Sequence, residues 1–418
     1  MDLLNSSLLG LPTFVSQEVC DLIIDSVLDS PQDLANCGLV CRGWLPQSRR
    51  YLFAEVVCDS IFLDLIQSSH TSSPSAINLH ISKITFDPIC SSLDDADFNS
   101  IPTDLAFPRL AELRLTNSYW TVPKLSPLFQ IFASSFAKID HLHFSNVTFG
   151  SFSDLVQTMH HFPSIQSLTC NSVDWEDPSH VWTPTSRPHC FESLRRLTCA
   201  FTSIETLLKW FGTDSTTADD FPALSSVSLT EVLQSEMKII GAFLSNHAAG
   251  LEHLEIGFLG TDSREDNGNY SPHYGFAFGT QFRFLDTVCY INLQDHTHLK
   301  SVSIRGIDLF RFPIFDFQSP GYPPTITDRS IYGWIPSFLS TIPSDNFEKV
   351  TLHIWCSTET QLEFMDWPRI AEGLETRGLA MQLRIVVAGV GLHEDGFKQW
   401  LQKRVGALKH TAIDFAFA

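Results

Sequence analysis

The sequence has little positive charge: 27 Lys and Arg stand against 47 Asp and Glu, a formal net charge of −20 over 418 residues. A chain this acidic is a poor general binder of nucleic acid or of an anionic membrane surface. No uninterrupted apolar run approaches ~18 residues, so a membrane-spanning helix is not expected. The N-terminus, MDLLNSSLLG, lacks the basic segment of a secretory signal. The ten cysteines never fall as C-x-x-C, and several sit where a thiol acts as a small hydrophobe, which favours a reduced, intracellular setting, cytoplasmic or nuclear. Under that reading the sequons at Asn5 and Asn146 are coincidental. Also missing are G-x-S-x-G, H-E-x-x-H and a phosphate-binding glycine loop. Ala388-Gly-Val-Gly391 does not complete a dinucleotide fingerprint. No catalytic residue, cofactor or metal is expected, and the chain is not expected to be an enzyme.

Hydrophobic residues make up 44% of the chain, enough for an extensive core. They are arranged in a repeat. Phe107 to Leu115 reads F-x-x-L-x-x-L-x-L, and the phrase returns at Phe136 to Phe144, Phe162 to Cys170, Phe191 to Cys199 and Phe221 to Leu229. Shorter copies occupy Ile81 to Phe86, Leu251 to Ile256, Leu299 to Ile304 and Phe347 to Leu352. Their first apolar positions are 81, 110, 139, 165, 194, 224, 251, 299 and 347, in steps of 29, 29, 26, 29, 30, 27, 48 and 48. The last two apolar residues of each phrase are two apart, so on a strand they share one face. One short strand cannot bury that face alone; copies stacked side by side as a parallel sheet can. Helical patterns between the phrases, at 128–136, 151–162, 203–211 and 236–246, would cover it. The period and the L-x-x-L-x-L phrase resemble leucine-rich repeats. That resemblance implies an α/β solenoid with parallel strands on the concave side and helices on the convex side.

Residues 261–281 and 312–333, inside the two long steps, are rich in Gly, Pro and aromatics and read as insertions. Beyond residue 362 a helix, a strand LRIVVAG, a further helix ending near His410 and a last strand AIDFAFA are expected to cap the array. Between the inward residues lie Glu112/Arg114, His141/His143, Ser167/Thr169, Arg196/Thr198, Ser226/Ser228, His253/Glu255, Ser301/Ser303 and Lys349/Thr351. They form an outward polar face suited to protein recognition. His141 and His143 have no further ligand at metal-binding spacing and read as part of that face. His160-His161 and His296-x-His298 read as turn residues.

Ahead of the repeats, residues 1–10 read as a leader. Ser16 is placed to cap a helix with Val19, Leu22, Ile23, Val27 and Leu28 on one face. Ser30-Pro31-Gln32-Asp33 opens a second helix, in which Leu34, Cys37, Val40, Cys41 and Trp44 step by three or four, and Pro46 stops it or kinks it nearby. A Cys37–Cys41 metal pair is the alternative to helix core at those two positions. Residues 51–58 turn into a strand, and 59–76 connect through a helix and a loop to the array at 77–418. The run Leu34-x-x-Cys37-x-Leu39-Val40-Cys41-Arg42-x-Trp44, followed by Ser48-Arg49-Arg50-x-Leu52-Phe53, resembles the F-box of fungal proteins over residues 11–58. Aligned on Glu18-Val19, the family's Leu-Pro pair falls on Val15-Ser16, while Leu11-Pro12 stands four residues earlier. The resemblance implies a three-helix module docking a Skp-type adaptor through Leu11, Pro12, Ile23, Leu34, Cys37, Val40 and Trp44. It further implies a substrate receptor of an SCF (Skp, cullin, F-box) ubiquitin ligase, with an unknown target on the repeats. The alternative is an interaction scaffold not coupled to ubiquitination.

Overall fold

A computed structural model describes residues 16–59, 61–62, 64, 77–87, 107–120, 138–177, 192–202, 204–212, 224–247, 250–258, 290–309, 332–343, 346–356, 358–375, 381–388, 396, 399–400 and 411–417. Leu11, Pro12, the predicted helix at 128–136, the insertion at 261–281 and nearly all of that at 312–333 lie outside the described residues. The chain divides into two compact units, Met1–Asp140 and His141–Ala418.

The first unit opens with three helices, α1 (Gln17–Asp25), α2 (Pro31–Val40) and α3 (Leu45–Leu52). Ser30 caps α2 as expected, accepting from the Asp33 amide at 3.3 Å, with Pro31 in the first turn. Ser16 stands at the α1 N-cap but makes no side-chain cap bond. Its hydroxyl turns instead to Glu18, whose carboxyl is held below its usual range by its own backbone amide and by Ser16. The second helix is shorter than its apolar spacing predicts. It ends at Val40, and Cys41 is extended (φ −161°, ψ 168°). Pro46 does not stop α2; it sits in the first turn of α3, where a missing amide hydrogen costs nothing. Tyr51 Oη donates to Asp25 Oδ1 at 2.8 Å, and Gln17 Nε2 donates to the Gly43 carbonyl at 3.1 Å, tying α1 to α3 and to the link between α2 and α3. Strands β1 (Glu55–Val57), β2 (Lys83–Phe86) and β3 (Glu112–Trp120) then pair in parallel, with Ile84 opposite Leu113 and Phe86 opposite Leu115.

The second unit is a parallel sheet in sequence order: β4 (His141–Ser151), β5 (Ser167–Asp177), β6 (Arg196–Ala200), β7 (Ser226–Val232), β8 (His253–Phe258), β9 (Ser301–Asp308), β10 (Lys349–Trp355), β11 (Met381–Ala388) and β12 (Thr411–Phe417). Every phrase found in the sequence is one strand, and the phrases are in register. Leu142, Leu168, Leu197, Val227, Leu254, Val302, Val350 and Leu383 form one buried row across the sheet. The first apolar residue of each phrase, just before its strand, is buried as well. The 48-residue steps leave this untouched: β8, β9 and β10 are hydrogen-bonded neighbours.

Helices α4 (Phe152–His160), α5 (Ile204–Gly212), α6 (Met237–Asn246), α7 (Trp334–Ser340) and α8 (Trp367–Glu375) supply the other layer of this core. Ser151 and Asp154 form a complete capping box on α4. Phe152 packs edge-on against Trp175 and Trp210 at 5.0 and 5.6 Å, and Phe258 meets Trp334 at 5.1 Å. Gly241 on α6 lets the chain cross closely, since an added Cβ would lie 2.1 Å from the Tyr290 carbonyl oxygen.

Two regularities of the repeat go beyond the apolar phrase. First, one carbonyl just ahead of a strand accepts two successive amides of the next repeat. Gln166 serves Arg195 and Arg196, Arg195 serves Ser225 and Ser226, Ser225 serves Glu252 and His253, Glu252 serves Lys300 and Ser301, and Lys300 serves Glu348 and Lys349. Second, the residue two beyond the third apolar position is left-handed in many strands: Asn117, Asn146, Ser172, Phe201, Glu231 and Gly306, with φ of 50, 54, 52, 49, 58 and 77°. This places two residues between inward side chains where alternation allows one, a bulge that returns Val147, Val173, Thr202, Val232 and Ile307 to the core. Thr202 Oγ1 donates to the Cys170 carbonyl at 2.9 Å, satisfying backbone that the bulge would otherwise leave buried. β8 lacks the extra residue, and the register accordingly shifts between Leu229 and Val232.

Candidate functional site

Each unit carries a surface with a chemical character of its own. In the first, the helices expose apolar side chains. Leu22 is 67% exposed, Leu39 84% and Val40 62%, and Val19, Ile23 and Leu28 are exposed as well. The cause is local. Ile24 and Cys20 turn the inner side of α1 inward, and α2 packs on α3 so closely that a Cβ on Gly38 would touch Leu45 and Ser48. Leu34 alone fills the interior from α2. Of the residues singled out by sequence, Ile23 and Val40 are exposed, and Cys37 and Trp44 are half-buried. Leu34, at 3% exposure, holds the helices together and presents nothing outward. Cys41 is exposed and past the end of α2, so Cys37 and Cys41 do not share a helical face as their spacing suggests. Trp44 is likewise off α2; it stands at the N-cap of α3, its carbonyl accepting from the Ser48 amide and hydroxyl at 3.1 and 2.9 Å. Leu39 lies between Gly38 and Val40, and the apolar step of three or four passes over it.

In the second unit the face opposite the core is polar, as the alternation requires. Its first row runs His141, Ser167, Arg196, Ser226, His253, Ser301, Lys349 and Gln382 across consecutive strands. The second runs His143, Thr169, Thr198, Ser228, Glu255, Ser303, Thr351, Arg384 and Asp414. Glu255 gathers several partners. Ser228 Oγ donates to it at 2.6 Å and Ser303 Oγ at 3.5 Å, and the Arg305 guanidinium pairs with it. Burial raises its affinity for a proton, but the Ser228 and Arg305 hydrogen bonds outweigh that and hold the carboxyl below its usual range. His353, bonded to Ser303 at 3.1 Å, is pushed down by burial and then by Arg305. On Glu231 burial acts the other way and raises the carboxyl, with Arg305 as a partial offset. Trp355, 58% exposed, continues the same face of β10 beyond the positions named from the sequence.

Several expectations resolve differently. His296 stands at a turn as read, its amide donating to the Leu293 carbonyl and its carbonyl accepting from the Leu299 amide, but it is also fully buried, and Nε2 lies 3.1 Å from the Leu244 carbonyl at the end of α6. His141 has an Arg196 guanidinium nitrogen 3.4 Å away, a neighbour that opposes a bound cation. Among the described residues no group of three or more His, Cys, Asp or Glu could hold a metal ion. Cys170 and Cys199 are buried opposite each other in the core, and the Cys170 sulfur beside it, with burial, raises the Cys199 thiol. No helix among the described residues is long and apolar enough to cross a membrane. A scan of the chain against protein-family models and a search of the curated proteins each find no match.

Proposed function

We propose that the chain is a substrate receptor of an SCF-type ubiquitin ligase: an F-box-like helical module ahead of a leucine-rich-repeat array. The observation that carries the proposal is the exposure of Leu22, Ile23, Leu39 and Val40 on two short helices. Apolar side chains of that size, left in water, are each worth roughly 1.5–3 kcal/mol to a partner that covers them. Helices this few make a small core of their own and gain from an adaptor. Docking runs through Val40, Ile23, Leu39 and Leu22, with Cys37 and Trp44 at the half-buried margin and Leu34 as internal support.

On this account the repeats hold a target protein on the polar sheet face, and the adaptor ties the chain to a cullin. The chain makes and breaks no bond itself. It raises the effective concentration of the target near the ubiquitin-charged enzyme. Co-precipitation with a Skp-type adaptor tests this. Wild-type protein binds, and Val40→Asp combined with Trp44→Ala does not, at unchanged circular dichroism. Equal capture of both proteins removes the F-box assignment. Adaptor without cullin in the complex removes the ligase and leaves an interaction scaffold.

A further inference from the structure

The first row of the polar sheet face alternates in a way that no single repeat reveals. Basic side chains stand on every second strand: His141 on β4, Arg196 on β6, His253 on β8 and Lys349 on β10. Between them lie Ser167, Ser226 and Ser301, and Gln382 follows. The row holds no carboxylate, in a chain with 47 acids against 27 bases. Two of its members also meet each other: His253 Nδ1 lies 2.7 Å from Ser301 Oγ. The Arg196 side chain reaches along the row to the His141 ring at 3.4 Å, a neutral or like-charged neighbour. Lys349 has no side-chain partner among the described residues. Glu252 lies 3.9 Å from His253 and is held by Lys300 at 2.9 Å. Glu255, one row over, is taken up by Arg305.

We propose that this row binds an extended acidic peptide lying across the strands, with a carboxylate at every third position. The inference rests on the reading of the repeat sheet as a partner-binding face and names the chemistry of that partner. The spacing of the four strand positions carries the periodicity, with Arg196 swinging off the His141 ring to meet its carboxylate. Neighbouring strands are about 4.8 Å apart, so every second strand gives a repeat of roughly 9.6 Å. A polyproline II segment has three residues per turn and advances about 3.1 Å per residue, hence roughly 9.3 Å per turn. From β4 to β10 the two patterns drift apart by only about 1 Å, within the reach of Lys and Arg side chains. The Ser167 and Ser226 hydroxyls donate to or accept from the peptide backbone, which is unpaired in this conformation, while Ser301 meets His253.

Fluorescence polarisation with labelled synthetic peptides tests the assignment on the full chain. A repeating Glu-Pro-Pro peptide should bind saturably and be weakened by added salt. A repeating Gln-Pro-Pro peptide should bind at least about tenfold more weakly, since several exposed ion pairs are lost together. A Glu-Pro peptide of equal charge, whose carboxylates fall out of step, should lie between them. Arg196→Glu with Lys349→Glu should abolish the difference between Glu-Pro-Pro and Gln-Pro-Pro. The inference is overturned if Glu-Pro-Pro fails to bind, if Gln-Pro-Pro matches it, or if single-stranded DNA of equal charge competes as well. Should the double variant misfold, the peptide series on wild-type protein still decides. Adaptor capture on the same preparation separates the two claims: intact capture without peptide binding sinks the acidic partner and spares the adaptor assignment, and the converse result does the reverse.

Discussion

Replacing Gly306 by alanine tests the left-handed bulge directly. Its φ is +77°, and a Cβ built there lies 2.3 Å from the Phe258 carbonyl oxygen and 3.0 Å from the Phe258 amide nitrogen. Both are backbone atoms of the neighbouring strand, so no side chain can swing aside. The left-handed conformation costs an alanine roughly 1–2 kcal/mol, and forcing an atom into a packed site costs about 1–3 kcal/mol more. Together the loss is on the order of 3 kcal/mol, which in a unit of this size lowers the melting temperature by roughly 6–10 °C. Asn146→Gly is the control. It removes a side chain from an equivalent left-handed position (φ 54°), where steric relief and the added freedom of the unfolded chain offset each other. Its effect should stay within about 1 kcal/mol. Thermal unfolding followed by both circular dichroism and tryptophan fluorescence measures the two variants, because repeat arrays need not unfold in one step. The account of the bulge fails if Gly306→Ala melts within about 2 °C of wild type, or if Asn146→Gly loses as much.

Other consequences arise from the same packing. Gly241→Ala places an alanine in a helix, where intrinsic preference favours it by about 1 kcal/mol; the clash with the Tyr290 carbonyl reverses the sign, and urea unfolding should show a net loss of about 1–3 kcal/mol. Glu255→Gln should destabilise the second unit by about 1 kcal/mol at neutral pH, discounted for its partial exposure. Because the folded carboxyl sits below its usual range, that stabilisation is present above the ordinary Glu range and lost as pH falls through the folded value; the wild-type and Glu255→Gln melting curves should therefore converge in acid. Burial holds His296 below the usual imidazole range, partly offset by the Leu244 and Leu293 backbone carbonyls. The unfolded chain then binds the extra proton, so stability is complete above about pH 6.5 and declines as pH falls below it. His296→Asn should start lower, through the lost bond to Leu244, and decline less over the same range in pH-dependent melting.

The strands were legible because a parallel strand with one buried face needs inward residues two apart, and Leu142-His143-Phe144 or Leu168-Thr169-Cys170 states that without competition from helical spacing. Registration came from the same residues, since a slip of one would turn the entire row to solvent. The bulge was not read. Left-handed backbone is announced by Gly306 and suggested by Asn117 and Asn146, but Ser172, Phe201 and Glu231 carry no such mark. The signal that could have found it is the return of an apolar residue three positions on, as at Val147, Val173 and Val232. In the helical module, the apolar spacing from Leu34 to Trp44 continues past the point where the backbone breaks at Cys41, and Pro46 was compatible with either a stop or a start. Periodicity also marked Leu34 and Val40 alike, although one lies inside and the other faces water. It missed Leu39 because an exposed apolar residue obeys no core spacing. His296 is at a turn as its sequence suggests, but its burial was not legible because the sequence does not show that the end of α6 folds over it.

Amide hydrogen exchange of the purified chain, with and without a Skp-type adaptor, bears most directly on the assignment of the helical module. Slowed exchange confined to residues 16–52, with the amides of β4 through β11 unchanged, is the predicted result. Unaltered exchange throughout, or slowing that falls on the sheet while the helices around Leu39 and Val40 stay fast, would contradict it.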